Sequence, residues 1–284
     1  MKPPPFAYAR ARSVDEALEL LGEAGGDAKL LAGGQSLVPV LAYRLVRPSR
    51  IVDVDAVAGL DGIAERGGEL GLGALLRHAR LERAEFGGAH RLLALAARHI
   101  GHAPIRTRGT LGGSLAHADP AAELPVAALA LDARVFARSA RGEREIAMDD
   151  FLLGPFTTAL DPDEMIVALR VPPAPARSFA GFREFALRSG DFALASVGVV
   201  VAFEEDGAVS RARVVVGGVE PVPRSVDAVP VGAQLVPDTI AEVAHVAAAS
   251  CAPADDRTVD AATRRDLVAA LVRAALADVV AQAA

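Results

Sequence analysis

Twice in its first half the chain ends an apolar stretch on a Gly-Gly pair flanked by hydroxyls: Ala32-Gly33-Gly34-Gln35-Ser36-Leu37 and Thr110-Leu111-Gly112-Gly113-Ser114. Glycine has no Cβ and tolerates positive φ, so consecutive main-chain N–H groups at such a pair can converge on phosphate oxygens. A single pair would be an ordinary turn in a chain with 26 glycines. Two pairs, with Ser36 beside one and Thr110 and Ser114 beside the other, predict a fold that gathers both around one diphosphate.

The flanking residues supply the frame. Ser13-Val14-Asp15-Glu16 is a capping-box pattern that opens a helix with Val14, Ala17, Leu18 and Leu21 on its apolar side, and Gly22 and Gly25-Gly26 end it. Ala28–Ala32 reads as a strand running into the first pair, with Ser36 as N-cap of a helix over Leu37–Leu45 and Pro39 in its first turn. Strand, glycine turn and helix start together form an anion-binding arrangement. Arg50–Val54 and Glu69–Leu72 read as strands, and Leu92–Ile100 as a helix stopped by Gly101. After the second pair, Asp119 as N-cap and Pro120 at the first helical position predict a buried helix through Leu131. Further strands are expected at Val135–Ala137, Glu145–Ala147 and Met165–Val171.

Pro172-Pro173-Ala174-Pro175 disfavours helix and central strand alike and marks a linker. The expected division is 1–175, in two halves of about 1–55 and 56–175, and 176–284. In the second part Ala193–Phe203 and Val209–Gly217 are β-branched runs joined by a turn at Asp206-Gly207, and Gly181–Leu187 adds a third strand. Thr239–Ser250 and Thr263–Ala281 read as helices.

Several chemistries are disfavoured. A net charge of −6 with scattered arginines argues against nucleic acid. Uncharged runs such as Phe192–Phe203 fall short of the roughly 18 residues needed to span a bilayer, so a soluble chain is expected. One cysteine, Cys251, excludes an internal disulfide and an all-cysteine iron–sulfur cluster, and a reducing, cytoplasmic setting fits it. Cys251 itself reads as a small buried hydrophobe. Gly71-Leu72-Gly73 starts a dinucleotide fingerprint, but Leu76 stands where its third glycine belongs. Neither a P-loop nor a Gly-x-Ser-x-Gly elbow occurs, and the six histidines lack metal-site spacing. His117, three residues beyond Ser114, either reaches the same ligand or is structural. Any catalysis would need a bound cofactor to supply the reactive atoms.

The residues resemble the FAD-binding medium subunit of molybdenum hydroxylases, as in carbon monoxide dehydrogenase and the flavin domain of xanthine dehydrogenase. The resemblance runs nearly end to end: Phe6-Ala7-Tyr8-Ala9-Arg10-Ala11, Ala32–Leu37, Arg44-Leu45 to Asp53-Val54, Ile105–Ser114, Ala118–Pro125 and Gly190-Asp191-Phe192-Ala193. It implies an α+β fold: a two-subdomain FAD-binding domain of the PCMH/vanillyl-alcohol-oxidase type, then a small α+β carbon monoxide dehydrogenase flavoprotein-like domain with a three-stranded antiparallel sheet and helices. Leu30, Leu31, Ala32, Gly33, Gly34, Gln35, Ser36 and Leu37, with Thr110, Gly112, Gly113 and Ser114, would cradle the FAD diphosphate through N–H groups and hydroxyls. Glu123 would lie near the adenosine part, and Ile100 and Phe192 near the flavin ring. Thr107 and Ser114 stand where relatives often carry Asn. Arg183 and Arg188, with Glu184 between them, are the candidates for a basic residue reaching the flavin from the second domain. The resemblance also implies a molybdenum–pterin large subunit and a two-cluster iron–sulfur small subunit as partners, in a dimer of heterotrimers. NAD or a quinone would then be the electron acceptor. Two other readings stand beside it: a stand-alone FAD-dependent oxidoreductase of the same superfamily, and a flavin-free assembly scaffold.

Overall fold

The Ser13 hydroxyl accepts the Glu16 main-chain N–H at 3.1 Å, and the Glu16 carboxylate reaches back to the Arg12 N–H at 2.7 Å, so the expected helix start forms. In the computed structural model, which describes residues 2–284, this helix belongs to a first lobe made of β1 (Ala7–Arg10), α1 (Val14–Glu23), β2 (Ala28–Leu31), α2 (Leu37–Ala42) and β3 (Arg50–Asp53). β3 lies between β1 and β2 and runs parallel to both. Ala17, Leu18 and Leu21 of α1 pack onto Val52 and Val54, as their spacing predicts, and Leu75 and Met165 from farther along the chain complete this core. α1 stops where Gly25 and Gly26 take positive φ.

The second lobe comprises β4 (Ile63–Arg66), β5 (Glu69–Gly73), α3 (His78–Arg83), α4 (Arg91–Ala97), α5 (Ala103–Arg108), α6 (Leu111–His117), α7 (Glu123–Ala130), β6 (Arg134–Ser139), β7 (Gly142–Ala147), α8 (Met148–Phe151), the short ribbon β8 (Leu152–Gly154) and β9 (Thr157–Thr158), and β10 (Met165–Val171). Its sheet has the order β4-β5-β10-β6-β7 and is antiparallel throughout. α7 is buried from Leu124 to Ala130, which explains why it is apolar all round.

β11 (Ser178–Phe185), β12 (Ala195–Phe203), β13 (Val209–Gly217) and β14 (Arg224–Val226) then form an antiparallel meander, with α9 (Pro237–Ser250) and α10 (Ala261–Ala283) against one face. The sheet has four strands, not the expected three: β14 pairs with β13, and as the triplet Arg-Ser-Val it has no apolar run to announce it. β12 is buried along its whole length. Its Val197, Val199 and Val201 meet the core under α10, while Gly198 and Val200 face the second lobe. A strand covered on both faces has no reason to alternate. At Gly181 of β11 a Cβ would overlap the Ala275 carbonyl of α10. Gly181→Ala is expected to lower stability by about 1–3 kcal/mol in urea unfolding, whereas Gly22→Ala, with open space around it, is expected to be neutral or stabilising.

Three local expectations are corrected. Ser36 directly precedes α2 but has αR geometry and makes no capping bond, and α2 ends at Ala42, short of the expected Leu45. α7 begins at Glu123 behind Ala122; Asp119 instead accepts the Ala121 N–H at 2.9 Å in a local turn. α3 and α5 were not anticipated, since both are six residues long and rich in arginine.

Candidate functional site

Gly33 touches the second glycine segment directly. A Cβ there would overlap the Arg108 carbonyl oxygen and lie 2.9 Å from the Gly109 Cα. The loop after β2 and the segment between α5 and α6 therefore meet backbone to backbone, a contact only glycine permits. Gly34 has φ +73°, and the Gln35 side-chain amide donates to the Gly33 carbonyl at 3.1 Å, fixing the loop. Val38 and Val40 donate their N–H groups to Gly34 and Ser36. Among the described residues no acceptor takes the N–H groups of Gly33, Gly34, Gln35 or Ser36. Four consecutive N–H groups are thus left to solvent or to an external acceptor such as a phosphate oxygen.

The second segment is built differently from the expectation. Gly112 and Gly113 lie in the first turn of α6, whose N-cap is Thr110: its Oγ1 accepts the Gly113 N–H at 3.2 Å. Leu111 donates to Leu76 at 2.9 Å, Gly112 to Ala74 at 2.8 Å, and Ser114 to the Thr110 carbonyl at 3.0 Å. These N–H groups are already engaged, so this segment offers the bare face of Gly113, the Ser114 hydroxyl and the His117 ring in place of a main-chain cradle. Gly112 has no Cβ for another reason: one would stand 2.7 Å from that of Ala74.

Two residues outside any motif hold this seam. The Arg77 guanidinium bridges the Arg108 carbonyl and the Asp55 carboxylate, tying the first lobe to the second segment. His78 Nε2 bonds the Thr110 carbonyl at 2.8 Å while the His78 main-chain N–H donates to the Gly109 carbonyl at 3.0 Å. Burial pushes the His78 imidazole down to about 4, so near pH 7 it is neutral and Nε2 carries the donated hydrogen. No local pattern marks either residue, because their partners lie some thirty positions along the chain.

The other sequence-stated residues fall in distinct places. Leu30 and Leu31 end β2, and Ala32 leads into the loop. Ile100 is buried in the second-lobe core. The His117 ring rests on Phe156 at 5.1 Å, and burial lowers its pKa. Phe192 is 76% exposed, on the loop between β11 and β12. That loop leans on the second lobe at Gly190, where a Cβ would overlap the His102 ring. Arg183 forms a paired salt bridge to Asp278 of α10, at 2.6 and 2.7 Å, and its charge adds to burial in lowering the His99 pKa. Arg188 is exposed on the same loop as Phe192. Glu123 and Glu184 lie close enough to disfavour each other's charge.

Residues 4–174 match the family described as FAD binding domain in molybdopterin dehydrogenase, and residues 180–279 the CO dehydrogenase flavoprotein C-terminal domain. The chain is 43% identical to the 6-hydroxypseudooxynicotine dehydrogenase complex subunit alpha of Paenarthrobacter nicotinovorans, over 98% of this chain and 95% of that one. It is 40% identical to the nicotine 6-hydroxylase medium subunit of the same organism, over 96% of each. Its structure superposes on carbon monoxide dehydrogenase from Hydrogenophaga pseudoflava with a TM-score of 0.93 and 33% identity, covering all of both chains. The chain thus belongs to the FAD-binding medium subunits of the molybdenum hydroxylase family and is an oxidoreductase subunit.

Proposed function

We propose that this chain holds FAD with its diphosphate on the free N–H groups of Gly33–Ser36, closed from the other side by Gly113, Ser114 and His117 of α6, and relays electrons between partner clusters and an outside acceptor. The observation that carries this reading is the backbone contact of Gly33 with Arg108–Gly109, which brings the two segments side by side. Bound FAD would supply the two-electron to one-electron interface that no side chain of this sequence provides. The chain's own residues bind and orient: the Gly33–Ser36 loop donates hydrogen bonds, Arg77 ties Arg108 to Asp55 of the first lobe, His78 fixes Gly109 and Thr110, and the loop carrying Phe192 leans on His102. We read residues 1–175 as the flavin domain and 176–284 as the domain that closes on it.

In this reading a molybdenum–pterin chain oxidises the substrate, a two-cluster iron–sulfur chain carries the electrons here, and NAD or a quinone receives them. The names of the relatives, which are complexes and medium subunits, support such an assembly. The test is isolation of the chain from its native host. The expected preparation is yellow, releases FAD on denaturation, and contains a larger molybdenum-bearing chain and a smaller iron–sulfur chain. A colourless single chain that takes up no added FAD would favour the scaffold reading instead.

A further inference from the structure

α2 has no charged or polar side chain anywhere in Leu37–Ala42, yet only Leu41 of it is buried. A helix that is apolar all round is ordinarily covered on every side. Here Val38 is exposed, and beyond the helix Tyr43 is 66% and Leu45 74% exposed. The Tyr43 N–H donates to the Pro39 carbonyl at 2.9 Å, so helical spacing continues as far as Tyr43. Val38, Pro39, Ala42 and Tyr43 then fall within about 140° of the helix circumference, on the side away from Leu41.

The turn that follows adds Leu45 to this face at a cost in strain. Arg44 has φ +59°, a conformation usually taken at this position by glycine or asparagine. Its N–H donates to the Leu41 carbonyl at 3.0 Å and that of Leu45 to the Val40 carbonyl at 3.1 Å. The residue after such a turn commonly packs back onto the helix, whereas Leu45 stands in solvent. The rim is basic. Although the chain carries a net charge of −6, it has no carboxylate between Asp27 and Asp53, only Lys29, Arg44, Arg47 and Arg50. Arg44 Nε donates to the Lys2 carbonyl at 3.3 Å, which brings Lys2 to the same turn. Glu23 neutralises Arg50, but among the described residues no carboxylate pairs with Lys2, Arg44 or Arg47. Single exposed apolar side chains are ordinary; a continuous face with a charged rim marks a docking surface. Its complement is an apolar spot ringed by carboxylates.

We propose that the face from Val38 to Leu45, with Lys2, Arg44 and Arg47 at its rim, docks the iron–sulfur chain of the complex, which meets it with such an acid-rimmed apolar spot. The proposal rests on the FAD reading: a chain that delivers electrons to a cofactor on Gly33–Ser36 must lie against that site. This face adjoins it, since a Cβ on Gly34 would stand 3.3 Å from Val38 Cγ2. An anionic membrane is the poorer fit, because clusters of about four to eight cations recognise one and this rim has three.

The test uses the complex and the full chain. The double variant Tyr43→Ser with Leu45→Ser, returned to the other chains of the complex, is expected to bind them about 100-fold more weakly than the wild type while binding FAD equally well. Arg47→Glu should slow association about tenfold in about 0.05 M salt and much less in about 0.5 M. Arg47→Lys keeps the charge and supplies an amine, so carbodiimide treatment of the complex should join it to a carboxylate of the iron–sulfur chain. Unaltered assembly of the double variant, no coupling, or coupling to the molybdenum-bearing chain or to a second copy of this chain would overturn the proposal and leave the FAD site intact. Wild-type binding to phosphatidylserine vesicles that is lost in the double variant would assign the face to a membrane instead. Failure of the wild-type chain to bind FAD would remove the reading on which the proposal rests.

Discussion

Replacing Gly33 by alanine is expected to weaken FAD binding by about 100-fold or more, with a smaller loss of fold stability. The added Cβ overlaps the Arg108 carbonyl, and neither backbone can give way cheaply, since Arg108 is held by Arg77 and Gly109 by His78. The loop must therefore back away from α6, and the four free N–H groups move with it. Hydrogen bonds to a charged acceptor contribute about 1.5–3 kcal/mol each, so misplacing two of them accounts for a change of this size. Gly34→Ala adds strain at φ +73°, about 1–2 kcal/mol, without that overlap, and should weaken FAD less. Fluorescence titration with FAD ranks the variants; Gly33→Ala binding like the wild type would contradict the shared cleft.

Acid is expected to unfold the FAD-free chain earlier than its carboxylates alone would dictate, because of His78. Its folded pKa of about 4 is below the ordinary imidazole value of 6.5, so the unfolded chain binds the proton more readily. The stability this contributes is complete above about pH 6.5 and is lost as pH falls from there towards 4, by roughly 3 kcal/mol at the full shift. Burial depresses His99 and His117 in the same direction. Glu123 and Glu184 work oppositely: their folded pKa values are raised, so their contribution is present at low pH and lost as pH rises through about 7 and 8. Urea unfolding at pH 7 and pH 4.5 measures the acid loss, and His78→Gln, which keeps a donor for the Thr110 carbonyl, should shrink it. Equal acid loss in both proteins would remove His78 from the account.

Local chemistry made some of the architecture legible and long-range pairing hid the rest. Met165–Val171 and Val209–Gly217 match the strands expected of them, because β-branched and apolar residues dominate both stretches. The capping box and the apolar face of α1 follow from spacing alone. β1, by contrast, is mostly exposed and carries no pattern, so only its pairing with β3 makes it a strand. The first glycine segment keeps its N–H groups free, as a short loop at a strand end allows, although Ser36 does not cap α2. The second does not, because Ala74–His78, more than thirty residues earlier, occupies its donors and turns the segment into a helix start. Arg183 pairs with Asp278, 95 positions away, a partner that its local sequence does not announce.

Amide hydrogen exchange of the full chain, followed by mass spectrometry with and without FAD, tests the central assignment of donors. The N–H groups of Gly33–Ser36 have no acceptor among the described residues and should exchange rapidly until FAD protects them, whereas those of Leu111–Ser114 should be protected from the start. FAD binding that leaves Gly33–Ser36 exchanging at its original rate would contradict the account.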